Sequence, residues 1–160
     1  MLRIEMGEGL QKRLLQQRFE SPAAEAMLNL FVAADHLHQK GEAVCAEVGI
    51  SIAQFNVLRI LRGVHPDGHP RCEIARRMIE KAPDVTRLVD RLEAEGLVQR
   101  DRSESDRRLS ITRITDRGLE LLETIDLPMR RLHDYFAERV SRRDCRELSR
   151  ICEGIYGEPE

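Results

Sequence analysis

No apolar run in the 160-residue chain approaches the ~18 residues that a membrane-spanning helix needs. The first residues show no basic-then-apolar leader, so the expected setting is cytoplasmic and free of membrane. Several catalytic signatures are also missing. There is no glycine-rich phosphate loop, no H-E-x-x-H and no nucleophile elbow, which argues against an enzyme and gives no reason to expect a cofactor. The four cysteines, Cys45, Cys72, Cys145 and Cys152, lack C-x-x-C spacing and read as free thiols of a reducing compartment. Cys145 and Cys152, seven apart on an apolar helical face, are expected in the core. His65, His69 and Cys72 stand close in sequence, yet Pro66 and Pro70 interrupt them and no fourth ligand follows, so no metal site is expected. Lysine is scarce: Lys12, Lys40 and Lys81 are the only three among 26 basic residues. A GC-rich coding bias explains that preference, which also supplies the planar fork that suits guanine and phosphate.

What is present is charge and helical periodicity. Hydrophobic residues make up 41% and charged residues 34% of the chain, with a net charge of −2. Residues 71–117 carry a local excess of two positive charges, which permits an anionic partner there without requiring one. Leu10, Leu14 and Leu15 indicate a short helix between Gly7 and Arg18. Ser21-Pro22 then has the form of a helix start, serine capping and proline in the first turn. Apolar positions from Met27 through Phe31 and Leu37 to Val48 continue the helical period to about Glu47, too far for a small core to cover alone. Ser51 caps a helix through Phe55, Leu58 and Leu61 that ends near Gly63. Turn residues from His65 to Pro70 read as a loop, and a short helix over Arg71–Ile79 packs Ile74, Ala75 and Met78. After the central segment, Thr115-Asp116-Arg117-Gly118 opens a long helix with a kink or break expected at Pro128. Ser141 caps a last helix with Leu148, Ile151 and Ile155 on one face.

The central segment holds the functional signal. Val85, Leu88, Val89 and Leu92 form an i, i+3, i+4, i+7 stripe that faces a core, while Arg87 and Asp90 point away and Asp84, Thr86 and Arg91 lie on the flanks. Gly96 closes the helix. A short strand, an arginine-rich tip and a second strand at Leu109–Ile114 follow. A helix with Thr and Arg on its free face, feeding a basic hairpin, suits the major groove of double-stranded DNA with the hairpin in the adjacent minor groove. The N-terminal half of such a helix meets bases, which selects Lys81, Ala82, Pro83, Asp84, Thr86 and Arg87, with Arg91 reaching the backbone. Asp84 either accepts from cytosine N4 or serves the helix dipole, as first-turn acids usually do. Arg102, Asp106, Arg107 and Arg108 form the tip cluster, and Arg76 and Arg77 on the preceding helix are placed for phosphate.

Five words in order carry a family resemblance: Ser51-Ile52-Ala53-Gln54-Phe55-Asn56-Val57-Leu58, Val85-Thr86-Arg87-Leu88-Val89-Asp90-Arg91-Leu92-Glu93, Gly96-Leu97-Val98-Gln99-Arg100, Asp106-Arg107-Arg108, and Ile114-Thr115-Asp116-Arg117-Gly118. Residues from about 50 to 122 thereby resemble the MarR family of bacterial transcriptional regulators. The resemblance implies a mainly α fold with a small β-hairpin wing. The winged helix-turn-helix module would occupy residues 50–115, with helical dimerisation regions at 21–48 and 116–157 and an N-terminal extension at 1–20. It further implies a homodimeric regulator, by family habit a repressor, on a palindromic operator, with a small-molecule effector possible. Asp106 would orient Arg108 into the minor groove, where a narrow groove attracts positive charge. Glu80-Lys81-Ala82-Pro83-Asp84 departs from the family in lacking a small polar residue before the recognition helix. The competing reading is a winged-helix protein–protein module with no DNA target, which the acidic net charge favours and the arginine-rich tip opposes.

Overall fold

The computed structural model describes residues 7–15, 18–80, 84–102 and 110–157. The elements run α1 (Glu8–Leu14), α2 (Pro22–Ala46), α3 (Ile52–Arg62), β1 (His69–Pro70), α4 (Arg71–Arg77), α5 (Val85–Ala94), β2 (Val98–Arg102), β3 (Ser110–Ile114), α6 (Asp116–Ala137) and α7 (Arg142–Tyr156). Side-chain caps set where several of the helices start. The Ser51 hydroxyl accepts from the Gln54 amide, and the Gln54 side chain accepts from the Ser51 amide, a reciprocal capping box. Thr115 and Ser141 cap α6 and α7 from one side only, their hydroxyls accepting from the Gly118 and Asp144 amides. Each cap satisfies an amide that the first turn leaves without a helical partner.

Contacts divide the chain into two compact units, Met1–Glu42 and Ala43–Glu160. In the first, Leu10 of α1 is buried and Arg13 lies 3.9 Å from Asp35 of α2. Met27 and Phe31, one turn apart on α2, remain exposed. In the second unit α3 packs against α4, α5 and α6. Its core joins Val57, Leu58 and Leu61 of α3 to Ile74 of α4, Val89 and Leu92 of α5, Val98 and Ile114 of the sheet, and Leu122 and Ile125 of α6. The sheet is antiparallel with order β1-β3-β2. Val98 pairs with Ile114 and Arg102 with Ser110, while His69 pairs with Thr112. The result is a winged helix, helix-rich with a small sheet. Apolar side chains line one face of α7, yet none of its residues is buried, and Leu148, Ile151 and Ile155 are exposed.

Several expectations need correcting. The segment read as a loop over 65–70 contributes β1, because His69 and Pro70 pair with the inner strand although Pro70 has no amide to donate. Two residues are too few for a periodic signal. The short helices stop early, α1 at Leu14 and α4 at Arg77, where Met78 turns extended. Ala75 is exposed and does not pack beside Ile74 and Met78. Helix α6 passes through Pro128 without a break. Cys145 and Cys152 are partly exposed where core positions were expected, whereas Cys45 is fully buried. An apolar face marks a surface meant for covering, and among the described residues of the second unit nothing buries the face of α7.

Leu92 is fully buried at the centre of this core. Leu92→Ala is expected to lower unfolding free energy by about 2–5 kcal/mol, from lost transfer energy plus the cavity left behind. Chemical denaturation measures it, and a loss below about 1 kcal/mol would contradict the packing described.

Candidate nucleic-acid interface

Helix α5 is held by its inner face and free on its outer one. Val85, Val89 and Leu92 are buried and Leu88 packs partly against the core, as the sequence period requires. Arg87, Asp90 and Arg91 are exposed. Asp84 caps the helix: its carboxylate accepts from the Arg87 amide at 3.0 Å and pairs with Arg87 Nε at 3.0 Å. One aspartate therefore starts the helix and pre-orients the arginine, whose side chain is 80% exposed. Thr86 accepts a hydrogen bond at 2.9 Å from Nη1 of Arg71, the first residue of α4.

On α4, Arg76 and Arg77 both reach Glu73, at 2.9 and 3.4 Å. The hydrogen bond from Arg76, aided by its charge and by Arg77, holds the Glu73 carboxyl below its ordinary range. The small stabilisation this represents is present above the ordinary carboxylate value and is lost as pH falls through the lowered one.

The end of α5 leads straight into the wing. Gly96, at φ +72°, takes the left-handed conformation that glycine adopts without steric cost. The Leu97 amide then donates to Leu92 at 2.9 Å and the Gly96 amide to Glu93 at 2.9 Å, which is a Schellman closure. Beyond it, Arg100 of β2 forms ion pairs with Asp90 and, at 3.5 Å, with Glu93, both on α5. Across the hairpin, Arg113 Nη1 donates to Asp101 at 2.5 Å. These contacts tie the wing strands to the helix beside them.

Of the residues selected from sequence, Asp84, Thr86, Arg87 and Arg91 lie on the free side and flanks of α5, and Arg76 and Arg77 lie exposed on α4. Lys81, Ala82, Pro83, Asp106, Arg107 and Arg108 lie outside the described residues, as does the side chain of Arg102, whose backbone ends β2. Sequence reading missed Arg71 and Arg100. Neither shows a local signal, because their partners stand 15 and 10 residues away. Among the described residues no three His, Cys, Asp or Glu side chains gather to hold a metal ion. No helix among them is long and apolar enough to cross a membrane.

The MarR family model matches residues 50–110, the span from α3 to the end of the wing tip. A MarR transcription factor from Planctomyces limnophilus superposes with a TM-score of 0.66 at 38% identity, over 85% of this chain and 98% of that one. This chain belongs to the MarR family. Members of the family are transcription regulators and not enzymes. The regulator MhqR of Bacillus subtilis is 32% identical over 77 residues, 48% of this chain and 52% of its own length. The first curated relatives are matched over 60% and 52% of their lengths. A transcriptional repressor, CouR, solved bound to a 23-mer DNA duplex, has a TM-score of 0.73 at 27% identity, over 87% of this chain and 99% of that one.

Arg100→Ala should free the wing from α5. Exposed ion pairs contribute about 0–1 kcal/mol, so amide exchange in β2 is expected to rise by up to about fivefold with exchange in α3 unchanged. No change in β2 would show that Arg100 is merely solvated.

Proposed function

We propose that this MarR-family chain is a homodimeric regulator that binds double-stranded DNA with sequence specificity at a palindromic operator, acts as a repressor and is released by a small-molecule effector. The observation that carries this reading is the outer face of α5. Arg87 and Arg91 stand exposed on a helix locked by its buried face, and Arg100 joins that helix to a hairpin wing. A rigid helix with a free basic face fits the major groove, and an adjoining hairpin carrying Arg102, Asp106, Arg107 and Arg108 fits the neighbouring minor groove. Lys81, Ala82, Pro83, Asp84 and Thr86 are the further base-contact candidates from sequence, and Arg76 and Arg77 are the phosphate candidates. A CouR repressor solved on a DNA duplex supports the target, and a CouR from Rhodococcus jostii solved with p-coumaroyl-CoA supports an organic effector.

Dimerisation follows from apolar surface. Leu148, Ile151 and Ile155 on α7, and Met27 and Phe31 on α2, are exposed in the single chain, and a second copy is the covering surface proposed for the regions 21–48 and 116–157. Two-fold symmetry then places two recognition helices about one DNA turn (~34 Å) apart. An effector would act by changing that separation, with a coupling on the order of 1–3 kcal/mol.

The deciding experiment is a gel shift with the DNA upstream of the protein's own gene, at two salt concentrations, with random duplex as competitor. Competitor-resistant binding that weakens steeply with salt is expected, because neutralised phosphates release counterions. Salt-independent behaviour, or no binding at low salt, would favour the protein-interaction module. In the same assay Arg87→Ala should weaken operator binding about tenfold, the scale of a base or charged phosphate contact. The variant should still sediment at twice the 18.4 kDa chain mass. Unchanged affinity would remove Arg87 from the interface.

A further inference from the structure

The hydrogen bond between Arg71 and Thr86 specifies what Thr86 presents to a ligand. A threonine hydroxyl has one donor hydrogen and two acceptor lone pairs. Arg71 Nη1 occupies a lone pair at 2.9 Å, and a guanidinium has only donors to offer. The proton of Thr86 is therefore directed away from Arg71. The adjacent cation polarises the O–H bond and makes it a better donor than an isolated hydroxyl. It also penalises any donor group approaching the same spot. Arg71 is exposed, at the start of α4, and Thr86 lies in the first turn of α5. That turn is the base-facing part of a recognition helix.

Among the four major-groove base edges, guanine shows two acceptors and no donor. Adenine pairs its acceptor with an amino donor, thymine pairs its acceptor with a methyl group, and cytosine offers only a donor. A polarised donor backed by a fixed cation complements the guanine edge best. Resting on the DNA-binding reading above, we infer that Arg71 and Thr86 act as one unit that reads a guanine in each operator half-site, Thr86 donating to guanine N7 and Arg71 positioning it. Arg71 is a positioning residue: it sets the hydrogen-bond polarity of Thr86. This role differs from a phosphate contact, which would strengthen binding to all sequences alike.

The test is selection from a random duplex library by the full chain and by four variants, with thermal melts to confirm that each is folded. The wild type should enrich a palindrome with guanine at one fixed position of each half-site. Thr86→Val keeps the shape and removes the hydroxyl, and should flatten the preference at that position by about fivefold or more, leaving the other positions intact. Thr86→Ser should restore it. Arg71→Ala should relax the same position, and Arg71→Lys should retain part of the preference. Replacing that guanine by 7-deazaguanine should weaken binding of the wild type but not of Thr86→Val.

An intact base preference in Thr86→Val, or relaxation by Arg71→Ala at another position or at none, would overturn the inference while leaving the regulator reading standing. Equal response of wild type and Thr86→Val to 7-deazaguanine would do the same. Enrichment of no sequence by the wild type would overturn both.

Discussion

Four pieces of the winged-helix unit meet at one short junction, where α5 ends, β2 begins, β3 ends and α6 begins. The Leu97 amide donates back to Leu92 and the Leu97 carbonyl accepts from the Thr115 amide at 3.1 Å, while the Thr115 hydroxyl donates to the Gly96 carbonyl at 2.8 Å. Gly118 lies so near that an added Cβ would stand 2.3 Å from the Leu97 carbonyl oxygen. Only hydrogen fits there, and α6 can start against the junction for that reason. Buried backbone groups must find partners, and here those partners belong to helix, wing and following helix at once. The direction of α5 and the take-off of the wing are thereby set together.

Electrostatics around this junction is a matter of paired charges more than of net charge. The chain is slightly acidic, yet several arginines near the junction are met by a local acid: Arg87 by Asp84, Arg100 by Asp90 and Glu93, Arg113 by Asp101, and Arg76 and Arg77 by Glu73. Pairs this exposed contribute little to stability. Their use is geometric, since an arginine already oriented loses less rotamer freedom when it meets another anion. On the proposed DNA-binding reading, a phosphate would have to compete with a resident carboxylate, which favours correct placement over bulk attraction.

The second unit thus combines a well-packed centre with a helix, α7, none of whose residues is buried. Helix α3 is buried along most of its length, including the polar Gln54 and Asn56. Gln54 is satisfied by its capping box and Asn56 accepts from Arg59 at 3.0 Å, which lets polar side chains sit in the core without an unpaired cost. Helix α7 is the opposite case, strongly two-faced with neither face buried. Apolar side chains at helical spacing state that a face is to be covered. They do not say by what, and for that reason Cys145 and Cys152, read as core, are partly exposed in the chain.

The sequence by itself determined the elements whose cause is local. The α5 stripe, the Ser51, Thr115 and Ser141 caps, the Gly96 stop and the two long wing strands all follow from residues within one or two turns of each other. From the same local signals came the free face with Thr86, Arg87 and Arg91. Tertiary structure decided what depends on distant partners. It made a strand of His69–Pro70, which has no pattern of its own until β3 lies beside it. It kept α6 continuous through Pro128, so the proline does not end the helix. It brought Arg71 to Thr86 and Arg100 to Asp90 and Glu93. A periodic pattern is written within a few residues and can be read there, whereas a side chain that closes a gap between elements acquires its role only after the core has packed them together.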